Sequence, residues 1–163
     1  MRYVMKEKIF CLGTDYTIQD EEGNARFLLD GKTFSVGDKL ALLDTDGIEQ
    51  ARICQRVLAW GPTYEIHRDG ELAAVIKKQL FTVFNCRFTV DVPGPDDLEA
   101  TGDFLDHEYV FTRQGEEVAR VSKQWFTLQD TYGIEVNDGE DDVLIIASAA
   151  VIDLCCHDDD HST

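Results

Sequence analysis

The chain has 163 residues, 44% of them hydrophobic, with 32 acidic side chains against 15 basic ones and a formal charge of −17. Such apolar content excludes a disordered chain and predicts one domain, able to bury roughly two thirds of the surface its unfolded form exposes. An isoelectric point near 4.4 excludes ordinary nucleic-acid binding, because each phosphate contact needs a Lys or Arg and none cluster heavily.

In chain order, the segment from Met1 to Gly13 is charged up to Lys8 and then only briefly apolar. That run is too short for an export signal, which predicts a cytoplasmic protein. A pattern then starts at Phe10-Cys-Leu-Gly and recurs: an aromatic or Leu, two small or apolar residues, a turn-like residue, then an extended run. Its anchors are Phe10, Phe34, Leu58, Phe81, Phe104 and Phe126, spaced 24, 24, 23, 23 and 22 apart. Trp60, Trp125 and Phe126 lie at these anchors, where core packing is their expected role. Gly70 to Thr82 and Gly115 to Thr127 share seven of thirteen residues at a separation of 45. A repeat at fixed period is the mark of a repeated supersecondary unit.

Each of the six units holds two extended segments, such as Glu49 to Arg56 before its anchor and Thr63 to His67 after it. Ala51 and Ile53 alternate with Arg52, Cys54 and Arg56, the period of a half-buried strand. Asp30-Gly31, Asp46-Gly47, Asp69-Gly70 and Gln114-Gly115 supply the positive-φ residue of tight hairpins, and Asp91 to Asp97 reads as a longer loop. The strands should therefore pair antiparallel.

Asn137 to Asp142 places four acids before an apolar run, where a helix N-terminus favours negative charge. The run from Val143 to Ile152 is apolar on every side, so its helix, about 141–156, must be buried, and it is too short to span a bilayer. Val143, Ile145, Ile146, Ala149 and Ile152 are its expected core residues. Residues 157–163 read as an acidic flexible tail. Twelve strands closing into one barrel remove every sheet edge but leave a lumen that a single helix can fill. The fold class is therefore mainly β (α+β by strict count): a closed twelve-stranded antiparallel barrel over 1–156, enclosing a central hydrophobic C-terminal helix. Ile18, Leu42, Ile53, Ile66, Ile76, Val90, Val121 and Ile134 are its expected wall partners.

The segments LLDGKTFSVGDKLALLDTDG, LAWGPTYEIHRDGELAAVIKKQLF, GDFLDHEYVF and VSKQWFTLQDTYGIEV, with the C-terminal apolar helix, resemble the LURP-one-related family. That family is similar to the tubby C-terminal domain and to phospholipid scramblases. The resemblance implies a twelve-stranded barrel around a central helix, and it carries no catalytic motif onto this chain. Tubby domains hold phosphoinositide headgroups with basic residues on neighbouring strands. The nearest set here is Arg52, Arg56, Lys77 and Lys78, with Arg87 beyond it.

Other patterns have plainer readings. Asp30-Gly31-Lys32-Thr33 lacks the earlier glycine and the helix of a phosphate-binding loop and reads as a turn. Asp44 to Gly47 and Asn137 to Asp142 lack the spaced ligands of a calcium loop and read as turn and cap. His157 and His161, beside Cys155 and Cys156, are weak zinc candidates in a solvated tail. His67 and His107 stand beside Asp69 and Glu108, but no nucleophile is placed to use them. Five scattered cysteines are odd in number, which argues against a disulfide framework. The Asp excess, twenty against twelve Glu, reads as salt adaptation or as an acidic interaction surface.

The functional expectation is a non-catalytic cytoplasmic binding or scaffold module for a protein or small molecule, with no cofactor. The alternatives are a peripheral membrane adaptor for anionic phospholipid headgroups and an unrecognised metal-dependent hydrolase.

Overall fold

The computed structural model of the chain describes residues 1–6, 15–31, 37–56, 61–82, 85–125 and 131–157. Twelve strands lead to one C-terminal helix. They are β1 (Arg2–Lys6), β2 (Asp15–Asp20), β3 (Ala25–Asp30), β4 (Asp38–Asp44), β5 (Glu49–Gln55), β6 (Thr63–Arg68), β7 (Glu71–Thr82), β8 (Asn85–Asp91), β9 (Leu98–Asp103), β10 (Glu108–Arg113), β11 (Glu116–Ser122) and β12 (Thr131–Val136), before α1 (Asp142–His157). Each strand pairs antiparallel with its neighbours in sequence, and β1 closes the ring against β12. Among the described strands no edge is left over, so the aggregation hazard of an open sheet is removed.

Local chemistry sets the turns. Asp69-Gly70 and Gln114-Gly115 are two-residue turns with positive φ at both positions, 51° and 79°, then 51° and 85°. Their twist matches that of the flanking strands. The β2–β3 and β4–β5 turns use another device. Asp20 Oδ1 accepts the N–H groups of Glu22 and Asn24 at 3.0 and 2.9 Å, and Asp44 Oδ1 accepts those of Asp46 and Ile48 at 2.9 Å each. Gly23 and Gly47 supply the positive φ in these two turns.

Asp30-Gly31 differs from the expectation. Asp30 is the last residue of β3, paired with Asp15 and Ala41, and Gly31 has no positive φ. Gly23 makes the preceding β2–β3 hairpin, in a turn whose two Glu residues hid it, while most of the β3–β4 connection lies outside the described residues. Lys32, Thr33 and the anchors Phe10, Phe34, Leu58 and Phe126 lie outside the described residues, as does Trp60. Trp125 is half-buried with the Arg2 guanidinium 4.9 Å above its ring, so it packs beneath a charged side chain and not in the core.

Inward positions repeat with the units. Ile18, Leu42, Ile66, Val90, Phe111 and Ile134, on the even-numbered strands, are all fully buried. The register shifts by one residue after Ile18, Ile66 and Phe111 and between Leu42 and Leu43, so equivalent hairpins bend at equivalent places. Ile53, Ile76 and Val121 complete the expected wall set and join the same core cluster.

The helix belongs to that cluster on every side: Val143 is 9% exposed, Ile145 1%, and Ile146, Ala149 and Ile152 are 0%. Ser148 satisfies its hydroxyl by donating to the Leu144 carbonyl at 2.7 Å. Asp141 caps the N-terminus, its Oδ1 accepting the Leu144 N–H at 3.1 Å. The helix continues through His157.

Candidate functional site

Two residues before each inward position named above, the even strands place Tyr16, Leu40, Tyr64, Phe88, Tyr109 and Tyr132. Five of the six are buried and Tyr16 is half-buried against the core. Alternation puts all six on the inner face, so the repeat builds a mostly aromatic belt around the later turns of α1. The helix meets this belt with Asp153, 1% exposed.

An acid near a helix C-terminus opposes the macrodipole by about 0.3–1 kcal/mol, a small cost beside that of an unpaired buried carboxylate. Partners therefore decide the matter. Tyr132 Oη donates to Asp153 Oδ2, and His107 Nδ1 lies 3.3 Å from Oδ1. The His107 ring stacks on Tyr132 at 4.2 Å between centroids with 9° between planes. His107 reaches this position from the β9–β10 turn, where its φ is +50°.

Burial and then the Asp153 charge push the Tyr132 hydroxyl well above its ordinary pKa, and the same two causes act on Tyr109. Both stay protonated, and Tyr132 uses its proton as a donor to Asp153. Gly102 fixes Tyr109 from the neighbouring strand. At φ +139° its Cβ would lie 2.5 Å from the Glu108 carbonyl and 2.7 Å from Tyr109 Cα, so only glycine fits.

The carboxylate partners differ from those suggested by sequence adjacency. His107 pairs with Asp153 while Glu108 takes the Ser122 hydroxyl at 2.9 Å and the Lys123 N–H at 3.0 Å. His67 pairs with Glu65 at 2.9 Å, not with Asp69, because His67 and Glu65 share one face of β6 whereas Asp69 lies beyond the strand in the positive-φ turn.

The proposed basic set is only partly gathered. Arg52 on β5 and Arg56 just past its end face outward, paired with Glu49 and Glu65, each at 2.5 Å. Lys77 on β7 meets Asp91 at 3.4 Å, and Arg87 lies 3.6 Å from Glu99. Lys78, next to Lys77, alternates to the other face and stands across from the buried Phe88. Hydrogen bonds from His67 and then Arg56 hold the Glu65 carboxyl below its usual range.

Three of the four acids from Asp138 to Asp142 have structural work. Arg68 pairs with Asp141 at 2.5 Å, Arg113 grips both oxygens of Glu140 at 2.9 and 2.8 Å, and Tyr3 donates to Asp142. Arg68 and Arg113 are 45 residues apart, the separation of the sequence repeat, so equivalent strand ends clasp neighbouring acids. A polar groove of about 500 Å³, lined by Arg2, Glu21, Glu135 and Asp138 among others, opens on the same rim. A smaller one of about 330 Å³ contains Asp96, Arg113, Glu116 and Glu140. Among the described residues, no group of three His, Cys, Asp or Glu could hold a metal. The His157 side chain and His161 lie outside the described residues.

The model of the LURP-one-related family matches residues 1–153. The chain belongs to that family. As a LURP-one-related protein, it is 29% identical to the uncharacterized protein YxjI of Bacillus subtilis (strain 168), over 96% of this chain and 94% of that protein. The X-ray structure of a protein from Arabidopsis thaliana, AT5G01750, superposes with a TM-score of 0.65. It shares 19% identity and covers 93% of the LURP-one-related chain and 88% of its own, a likeness of fold alone. The tubby-like architecture thus holds over the family match, while the His107–Asp153–Tyr132 cluster is a feature that sequence reasoning missed. Its signal was present in two forms: a lone acid inside an apolar helix, and a tyrosine recurring at 16, 64, 109 and 132 in step with the repeat.

Proposed function

We propose that this LURP-one-related chain is a non-catalytic binding or scaffold module that engages its partner, a protein or a small molecule, through its outer surface and rims. One observation carries this reading. The titratable groups with the makings of an acid–base relay, His107, Asp153, Tyr132 and Tyr109, are each no more than 2% exposed inside a lumen occupied by the helix. Chemistry needs a reacting atom within hydrogen-bond reach of its base, and a sealed cluster offers no such approach. Its role is to hold α1 in register. The described cysteines carry no disulfide, which supports a reducing compartment and hence the cytoplasm.

The outer-wall ion pairs rank anionic lipid behind this reading, because a headgroup at Arg52, Arg56 and Lys77 would have to displace Glu49, Glu65 and Asp91. Flotation with phosphoinositide-containing vesicles measures that ranking. Binding that disappears on charge reversal of Arg52, Arg56, Lys77 and Lys78 would put lipid first.

Affinity capture from a native extract tests the leading reading, with wild type compared against Glu135→Lys/Asp138→Lys on the rim and Asp153→Asn inside. A partner retained by the interior variant and lost by the rim variant is expected. Substrate turnover by the purified protein, abolished in folded Asp153→Asn, would overturn it.

A further inference from the structure

Almost every buried polar side chain among the described residues is satisfied, and the exceptions gather around Asp153. Among the described residues, Tyr109 Oη and Asp153 Oδ1 are fully buried and make no hydrogen bond, Oδ1 having the His107 Nδ1 contact at 3.3 Å without hydrogen-bond geometry. Their residues are 2% and 1% exposed, and they lie at the same place in the lumen, since His107, two residues before Tyr109, has its Nδ1 3.3 Å from Asp153 Oδ1. Buried polar atoms in folded proteins nearly always have a partner, either protein or ordered water. The Tyr109 ring is not placed to find one by swinging away. Its backbone is paired to Gly102 and Val121, and its ring packs 5.0 Å from that of Phe104 and 5.8 Å from that of Phe111. Asp153 Oδ2 is already engaged by Tyr132.

We propose that Tyr109 Oη and Asp153 Oδ1 share a site for one internal water molecule, enclosed between the aromatic belt and the last turns of α1. The chemistry of the two atoms selects the guest. Tyr109 keeps its proton and must give it to an acceptor, whereas Asp153 Oδ1, approached but not hydrogen-bonded by His107 Nδ1, has room to accept one. Water does both and has a second proton for a third partner, the usual complement of a buried water. A monovalent cation would suit the carboxylate but cannot accept the tyrosine proton. The water joins β10 to the helix, as Tyr132 joins β12 and His107 joins the β9–β10 turn.

The sign of one substitution tests the site. In Tyr109→Phe, loss of a hydroxyl that binds water should lower Tm by about 2–4 °C and leave the bound water one partner short. An unchanged or raised Tm would mean that the hydroxyl had no partner to lose, and would overturn the proposal. A high-resolution crystal structure grown with rubidium chloride gives a readout independent of stability. A peak within hydrogen-bond distance of both atoms and without rubidium anomalous signal is expected. No peak, a direct Tyr109–Asp153 hydrogen bond, or a rubidium signal there would each sink it.

Discussion

Ala149 has no exposed surface and packs among wall residues on every side. Ala149→Asp would place an unpaired carboxylate in that core at a cost of several kcal/mol, on the order of a domain's whole stability. A lost or much lowered thermal transition by circular dichroism is expected, and an unchanged one would contradict axial burial. Gly102→Ala should cost at least about 2 kcal/mol, since it adds left-handed strain to a clash with the Tyr109 backbone. Urea midpoints would measure it. Ala149 was legible in sequence because the apolar run left no polar face. Asp153 was legible only as an oddity, since its partners Tyr132 and His107 lie 21 and 46 residues upstream and meet it only through barrel register.

At the scale of elements, the clasp on α1 separates two electrostatic devices of different strength. Asp141 both caps the helix and pairs with Arg68, whose side chain is 33% exposed. Asp141→Ala should therefore cost about 1–2 kcal/mol, mostly from the cap, and Arg68→Ala less than about 1 kcal/mol for a solvent-screened pair. Chemical denaturation of both variants checks the order, and the reverse order would place the ion pair above the cap. The strands were readable from period-2 alternation and from Asp-Gly or Gln-Gly turns. Asp30-Gly31 misled because the same dipeptide can end a strand, whereas the Asp20 turn was hidden because its organising bond is a side-chain carboxylate on backbone N–H groups.

The charge of the whole molecule has a partly local origin. Asp20, Asp44, Asp97, Asp103 and Asp141 each accept a backbone N–H in a turn or cap, so some of the Asp excess is the cost of building many tight connections. Burial raises the Asp20 carboxyl, but bonds from Asn24, Arg26 and Glu22 together outweigh it and hold it low. Asp20 and Glu65 thus stabilise the fold above about pH 4, and that contribution is lost as pH falls.

At the alkaline end the sign is opposite. Tyr109 and Tyr132 are protonated in both states below about pH 10, where their contribution is complete. Above that, the unfolded chain releases protons that the barrel retains, so stability falls by about 1.4 kcal/mol per pH unit for each. Thermal melts through this range should steepen accordingly and flatten in Tyr132→Phe. An equally steep decline in that variant would remove Tyr132 as a cause.

Twelve strands and a buried helix could be counted from six repeats, and the closed ring followed from what so many strands must do with their edges. That closure bears on how the chain reaches its native state. The ring is completed by pairing residues 2–6 with 131–135, and every hairpin between them can zip locally beforehand. The last seam must therefore shut around a helix made after all twelve strands, so folding should be held up by this late, long-range step, and an unsealed ring is the form most exposed to proteases.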